Sequence, residues 1–194
     1  MNDPMTLEAP RDVRMGVWQP PRQQRAFRGL LTAFSYPGRV VRLADDGESA
    51  TLLLLATLTD GASRLADPER RLAEDDIRRL GVRSSAVESA DFVLCGAAHP
   101  PQMTPRLGSL ENPEQGATLV IQVPALEEGI KLRLTGPGVE EEQTLRVAGV
   151  DPAWWRLRDE WNAHFPLGVD LILASERAVA VLPRTTRLTV EGVH

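Results

Sequence analysis

The apolar residues of this 194-residue chain fall into short runs, and their spacing is helical in the first third of the sequence. Between residues 24 and 34 they recur at i, i+3, i+4 and i+7, as Phe27, Leu30, Leu31 and Phe34. This spacing predicts an amphipathic helix, which the turn-forming sequence Ser35-Tyr36-Pro37-Gly38 then ends. The run over residues 50–58 is rich in leucine and lacks Val and Ile, so it predicts a buried helix.

Shorter apolar runs predict strands, most of them in the second half of the chain. They cover residues 39–43, 91–94, 117–123, 130–135, 169–174, 178–182 and 188–190. The segment Pro124–Gly129 lies between two of these runs and predicts a hairpin that joins them. Residues 96–116 hold four prolines, at 100, 101, 105 and 113, and predict a long loop.

Two Asp-Pro pairs predict helix starts, because proline is favoured in the first helical turn after a capping residue. Asp67-Pro68 predicts a charged helix that runs to residue 80. Asp151-Pro152 predicts a second helix, whose apolar face includes Trp154. The next side chain, Trp155, points about 100° away from Trp154 on a helix of 3.6 residues per turn. We therefore expect one of the two rings to leave the core and mark a contact surface.

Helices distributed among strands favour an α/β protein that has a mixed sheet with helices on its faces. The chain is long enough for one domain with a full core. Residues 1–22 are rich in Pro, Gln and Arg and predict an extended arm in front of a single α/β domain over 23–194.

Composition narrows the class of protein further. A net charge of −5 argues against a protein that coats nucleic acid or an anionic membrane, because both favour a basic excess. The single cysteine, Cys95, excludes an internal disulfide and a cysteine-rich metal site. No apolar run approaches the ~20 residues that span a bilayer, and the N-terminus has no signal-peptide pattern. These features predict a cytoplasmic protein.

Three groups of residues are candidates for binding an anion. Arg184, Thr185 and Thr186 place a guanidinium and two hydroxyls together after a strand, and Arg binds phosphate or phosphonate oxygens well. The turn Thr135-Gly136-Pro137-Gly138 offers backbone N–H groups. Asp170 lies in an apolar strand pattern, where it either faces solvent, pairs with an arginine such as Arg184, or titrates abnormally in a site. Ordinary turns and an ion pair explain the same residues, so the sequence leaves both explanations open.

The sequence shows no recognisable catalytic set. It contains no P-loop, no dinucleotide fingerprint, no His-Glu-x-x-His and no Gly-x-Ser-x-Gly. His99 and His164 are isolated in loops, whereas a metal site needs three or four convergent ligands. We therefore predict no metal site and assign no catalytic residue.

Several segments together carry a family resemblance. In chain order they are Phe27–Leu31, Ser35–Gly38, Gly116–Val123, Leu132–Val139, Phe165–Asp170 and Pro183–Thr186. Over about residues 25–190 they resemble the H subunit of the bacterial carbon–phosphorus lyase system, which handles alkylphosphonates. The order and extent of the match make it far more specific than any one segment.

The resemblance implies a fold and a function that the residues alone do not. Members of the family are similar to pyridoxal-phosphate-dependent transferases, a three-layer α/β/α sandwich, but without the cofactor. They form homodimers and join the G, I and J subunits in a core complex. That complex supports transfer of an alkylphosphonate to the ribose of a purine nucleoside triphosphate, as alpha-D-ribose 1-methylphosphonate 5-triphosphate synthase. The isolated chain is then expected to be inactive.

The residues bear on one of these implications, the absence of the cofactor. Pyridoxal phosphate enzymes need a lysine, and Lys131 is the only lysine, in a predicted strand, so we expect no cofactor.

Two alternative functions stay open. The chain could be a small enzyme that uses Asp170 as base and Arg184 as anion clamp. It could also be a stand-alone binding protein for an anionic phosphorylated metabolite.

Overall fold

The structure, a computed structural model, describes residues 16–100, 102 and 104–191. The helices are α1 (Pro20–Ser35), α2 (Ala50–Leu58), α3 (Glu74–Leu80) and α4 (Ala153–Trp161). The strands are β1 (Val41–Arg42), β2 (Arg64–Ala66), β3 (Arg83–Ser84), β4 (Phe92–Gly96), β5 (Thr118–Gln122), β6 (Leu126–Thr135), β7 (Gln143–Val147), β8 (Asp170–Ala174), β9 (Ala178–Leu182) and β10 (Arg187–Val190). Within this described part, every helix is too short or too polar to cross a lipid bilayer.

The strands form two sheets. The larger has seven strands in the order β1-β9-β8-β5-β4-β2-β3. Its strands β3, β2, β4, β5 and β8 are parallel, whereas β9 is antiparallel to both β8 and β1. The smaller sheet is antiparallel, in the order β10-β6-β7. The predicted α/β class with a mixed sheet is therefore confirmed.

Alternating residues of the central strands pack into two separate cores. In β5, Leu119 and Ile121 belong to one apolar cluster, and Val120 between them belongs to the other. The cluster around Val120 includes buried residues of α1, α2 and α3. The cluster around Leu119 includes buried residues of β6, β7 and α4. Both faces of the seven-stranded sheet are thus covered, one by helices and the other by the small sheet together with α4.

Helix α4 buries both of its adjacent tryptophans. Trp154 is completely buried, Trp155 is 3% exposed, and both belong to the same core cluster. The prediction that one ring leaves the core and marks a contact surface is therefore wrong. The physical reason is that the core reaches around more than one face of α4. Trp154 also packs edge-on against Trp161, with 6.4 Å between ring centroids.

The predicted hairpin over residues 117–135 is wrong as well. Its two strands exist, but β5 lies between β4 and β8 in the large sheet, while β6 pairs with β7 and β10 in the small one. Strand β5 is apolar on both faces, with Leu119, Val120 and Ile121 fully buried. Such a strand is typical of the centre of a parallel sheet, where neither side meets water.

The helix predicted to begin at Asp67 begins seven residues later, at Glu74. The Asp67 carboxylate instead accepts hydrogen bonds from the N–H groups of Arg71 and Leu72, both at 2.9 Å, and so stabilises a local turn. Arg70 has a φ of +51°, which lies outside the right-handed helical region. A helix therefore cannot continue from Asp67 to residue 80.

The predicted extended arm, residues 1–22, lies mostly outside the described residues. Where the structure describes it, Val17 is buried in the core and residues 20–22 form the first turn of α1. A proline in that turn favours the helix, because its missing N–H would have no intrahelical partner there. The extended conformation is thus wrong for residues 20–22, and the division into an arm and a single domain stays a prediction.

Candidate functional site

The structure brings five of the seven predicted anion-binding residues to one cleft. This cleft, which we call the α4–β10 cleft, has a volume of about 950 Å³. Its lining includes the predicted residues Thr135, Gly136, Arg184, Thr185 and Thr186. It also includes four polar residues that the sequence did not single out, Arg158, Asp159, Asn162 and Arg187. The cleft lies between the C-terminal end of α4, the end of β6 and the connection from β9 to β10.

Arg184 is held by its protein neighbours. Its Nη2 lies 2.9 Å from Asp170 Oδ2, and its backbone N–H donates to Asp170 Oδ1 at 2.7 Å. Its Nη1 donates to the carbonyl oxygens of Pro113 at 2.8 Å and Pro166 at 3.3 Å. The predicted meeting of Arg184 and Asp170 is thus an ion pair, and it ties together the β4–β5 loop, the segment before β8 and the end of β9.

Arg158 is a buried cation in the wall of the cleft. The residue is only 1% exposed, and its Nη2 donates to the carbonyl oxygens of Pro183 and Thr186, both at 2.7 Å. The nearest carboxylate is that of Asp159, 3.7 Å from Nη1. Burial lowers the pKa of the Arg158 guanidinium, because desolvation penalises the charged form. Arg158 therefore fixes the turn before β10 and adds positive charge to the cleft.

Three buried polar atoms of cleft-lining residues have no hydrogen-bond partner among the described residues. They are Arg158 Nε, Asn162 Nδ2 and Thr186 Oγ1. Leaving such a group unpaired costs about 1–3 kcal/mol. Asn162 is anchored through its other amide atom, because Oδ1 accepts a hydrogen bond from the Val169 N–H at 2.7 Å. The cleft wall thus combines fixed side chains with unused hydrogen-bonding capacity.

The two glycines of the predicted turn lie in different places. Gly136 lines the cleft at a φ of +123°, and a side chain there would approach the Thr185 carbonyl oxygen. Gly138 lies outside the cleft, where an added Cβ would come within 2.6 Å of the Ser35 carbonyl oxygen at the end of α1. Its surroundings include Glu140 and Glu141. The close approach to α1 accounts for this glycine without any ligand.

A second polar cluster lies at the carboxyl ends of the parallel strands, where ligands often bind in α/β proteins. Arg71 donates to Glu69 at 2.7 Å and to the Gln122 amide oxygen at 2.8 Å. Gln122 donates to Thr51, and Glu69 accepts from the Gly96 N–H. These groups bond to one another, so the cluster is explained as a structural network that closes the edge of the sheet.

The structure groups no metal ligands in the part of the chain that it describes: no three His, Cys, Asp or Glu residues there are placed to hold an ion. Cys95 is buried in the core cluster around Leu119 and is 1% exposed. Burial, reinforced by the nearby Glu69 carboxylate, raises the pKa of its thiol to about 12.

We expect Cys95 to resist alkylation by iodoacetamide at pH 8, because the thiolate is the reactive form and the thiol pKa lies well above that pH. The modified fraction, measured by mass spectrometry, should stay near zero in the native protein. The same protein in denaturant serves as control and should react fully. Equal rates in the two conditions would show that the thiol is accessible in the folded state.

Sequence reasoning missed Arg158, Asn162 and Arg187. The helical spacing offered one signal, because Arg158 follows Trp154 by four residues and therefore shares its buried face. Asn162 directly follows α4 and Arg187 begins β10, so only the tertiary arrangement places the two in one cleft.

Comparisons with known proteins show which family the chain belongs to. The family model described as "Bacterial phosphonate metabolism protein (PhnH)" matches residues 16–189. A protein of Stutzerimonas stutzeri that bears the name C-P lyase subunit protein HtxG is 61% identical over 194 residues, which cover all of both chains. The "Alpha-D-ribose 1-methylphosphonate 5-triphosphate synthase subunit PhnH" of Rhizobium meliloti is 31% identical over 182 residues, 87% of this chain and 90% of that protein. The chain therefore belongs to the PhnH family of bacterial phosphonate metabolism proteins, as the motif resemblance predicted.

Proposed function

We propose that this protein is a subunit of a carbon–phosphorus lyase core complex in phosphonate catabolism. Its role is to support transfer of an alkylphosphonate to the ribose of a purine nucleoside triphosphate. The observation that carries the proposal is the full-length 61% identity to HtxG, whose name describes a C–P lyase subunit. The relative named as a subunit of ribose methylphosphonate triphosphate synthase supports the reaction.

The proposed assembly is a homodimer of this chain that joins the G, I and J subunits in the cytoplasm. The family resemblance supports these partners. The same resemblance supports a likeness to pyridoxal-phosphate-dependent transferases, with a three-layer α/β/α sandwich as the shared arrangement. In the present fold the small sheet and α4 together form the layer on one face of the seven-stranded sheet.

We propose that the protein works without pyridoxal phosphate. The only lysine is Lys131, whose ammonium lies in β6 and contacts the Glu191 carboxylate at 2.9 Å. Arg133 binds the same carboxylate at 2.6 Å. The ion pair stabilises the small sheet and keeps Lys131 as a charged ammonium. An aldimine requires a free, neutral amine instead. An absorbance scan after incubation with the cofactor tests this, because a visible aldimine band that disappears in Lys131→Ala would contradict it.

Co-purification tests the proposed function directly. We expect the tagged chain, co-expressed with the G, I and J subunits from the same phosphonate operon, to bring all three down in fixed stoichiometry. Native mass spectrometry of the eluate gives the composition and the number of copies of this chain. The tagged chain expressed alone is the control, and it should give the mass of a homodimer.

A chain that elutes free of the other subunits would contradict the subunit role. The complex, if formed, should convert methylphosphonate and ATP to a ribose methylphosphonate triphosphate with release of adenine. If the other subunits assemble and convert methylphosphonate and ATP equally well without this chain, its proposed supporting role in the transfer is wrong.

A further inference from the structure

We propose that the α4–β10 cleft binds the phosphonate or phosphate group of a small molecule, and that Asn162, Thr186 and Arg187 are the residues that recognise it. Arg184, the residue that the sequence favoured, has a structural role beside the site. The choice of a phosphorus oxyanion rests on the proposed function. The cleft itself, and its preference for an anion, rest on the geometry alone.

The first argument is the surplus of hydrogen-bond donors. Arg158 Nε and Asn162 Nδ2 are donors without a partner among residues 16–100, 102 and 104–191, and Thr186 Oγ1 can also donate. Arg158 and Thr186 are 1% and 2% exposed, so their side chains are fixed by the surrounding protein. A group with several acceptor oxygens is the ligand that such a wall fits. A tetrahedral phosphorus oxyanion has three of them and carries negative charge.

The second argument is charge. Among the described residues, the cleft is lined by three arginines, at 158, 184 and 187, and by one carboxylate, that of Asp159. The charge of Arg184 is balanced by Asp170 at 2.9 Å, whereas the carboxylate of Asp159 lies 3.7 Å from Arg158 and Asp170 acts on Arg158 from farther away. Arg187 is exposed at the start of β10, and the described part of the chain provides it with no ion-pair partner. Its planar guanidinium is therefore available to bind an oxyanion in bidentate fashion.

The third argument is size. Small-molecule sites commonly have volumes of about 300–1,000 Å³, and this cleft has about 950 Å³. That volume holds more than a single methylphosphonate, so the oxyanion is expected to be part of a larger molecule. Phe165 lines the same cleft and is 69% exposed, which gives apolar surface for an alkyl or aromatic substituent.

Arg184 is excluded as the recognising residue by its own contacts. Both terminal nitrogens and the backbone N–H already donate, to Asp170, Pro113 and Pro166. An anion would have to compete with a carboxylate at hydrogen-bonding distance. Arg187, by contrast, is exposed and would exchange only bound water for the anion.

Isothermal titration calorimetry of the full chain tests the proposal, with methylphosphonate, inorganic phosphate and ATP as separate probes. We expect saturable binding of at least one of them. Arg187→Ala should weaken it about tenfold or more, since hydrogen bonds to charged groups are the stronger ones. Arg156→Ala is the matched control, because it removes the same charge from an exposed position of α4 that does not line the cleft. Its affinity should equal that of the unmodified protein.

Two further variants separate binding from folding. Asn162→Asp keeps the oxygen that accepts from the Val169 N–H and replaces the unpartnered donor by a negative oxygen, so binding should fall at least tenfold. Thr186→Val removes a hydroxyl that has no protein partner, so the melting temperature should not fall while affinity drops about two- to tenfold. Thermal melts of both variants check the fold.

Each outcome decides the proposal. Tighter binding of methylphosphonate or ATP than of phosphate identifies the source of the oxyanion, and loss of binding in Arg187→Ala and Asn162→Asp supports the site. Unchanged affinity in both variants, or no binding of any probe at 10 mM, about the limit at which an affinity is detectable, overturns it. The proposed function is tested separately, because Asn162→Asp should still co-purify with the partner subunits.

Discussion

Replacing Trp154 with alanine is expected to lower the free energy of unfolding by about 3–5 kcal/mol, the range for removing a large buried aromatic side chain. Trp154 is fully buried at the start of α4, packs edge-on against Trp161, and donates from Nε1 to the Ala97 carbonyl oxygen at 3.1 Å. The substitution removes the ring and one of the two hydrogen bonds that the Ala97 carbonyl oxygen accepts, while the Asp151 N–H still donates to it. Both losses act on the junction between α4 and the end of β4.

Urea titration followed by far-UV circular dichroism measures this loss. Trp155→Phe is the matched control, because Trp155 is equally buried in the same core but its Nε1 has no partner in the described part of the chain. Phenylalanine keeps most of the apolar ring and removes an unpaired N–H, so the unfolding free energy should change by less than about 1.5 kcal/mol. A Trp154→Ala loss no larger than that of the control would show that α4 is not part of the central core.

The elements that were predictable from sequence are those whose local pattern and tertiary environment agree. Helix α2 runs from Ala50 to Leu58, as the leucine-rich run predicted, because every position from Ala50 to Leu55 is buried and leucine favours the helix. Helix α4 begins one residue after Pro152, and Asp151 accepts a hydrogen bond from the Ala153 N–H at 2.8 Å. At this position, local capping and burial both favour a helix.

The pairing of strands depends on distant residues and was not predictable in the same way. Strand β6 pairs with β10, so that Leu134 lies opposite Leu188, more than fifty positions away. Strand β7 was missed because only Leu145 and Val147 of its five residues are buried. Such a short and polar strand forms because it can pair with the edge of β6. The local sequence of β7 contains no information about that partner strand.

The candidate site also combines features that the local sequence predicted with features that depend on distant residues. The sequence offered an ion pair with an arginine such as Arg184 as one of the open explanations of Asp170, because a carboxylate within an apolar strand is rarely left unpaired. The helical spacing put Arg158 on the face of Trp154, but its burial was not predicted, since an arginine on an amphipathic helix is usually exposed. Only the turn from Pro183 to Thr186 supplies the carbonyl oxygens that hold Arg158 in the wall. The grouping of the unpartnered donors of Arg158, Asn162 and Thr186 in one cleft therefore follows from the tertiary structure alone.

Replacing Arg184 with methionine is expected to destabilise the protein by about 3 kcal/mol, near the lower end of the range for breaking a buried pair. The side chains of Arg184 and Asp170 are 14% and 20% exposed, so the loss leaves a carboxylate poorly hydrated. The substitution also removes the hydrogen bonds to Pro113 and Pro166, which fasten two loops to the end of β9. Asp170→Asn should cost nearly as much, and the double variant less than the sum of the two, because neither charge then remains unpaired.

Urea titration of the four proteins completes a double-mutant cycle, and Arg177→Met is the control. Arg177 pairs with Asp46, whose side chain is 78% exposed, so its loss should cost less than about 1 kcal/mol. Limited proteolysis gives an independent readout, since release of Pro113 should speed cleavage within residues 97–117 in Arg184→Met and not in Arg177→Met. Strictly additive losses in the cycle, with unchanged cleavage, would mean that Arg184 does not act as the clamp. Its guanidinium would then be free to bind the anion that we assign to Arg187.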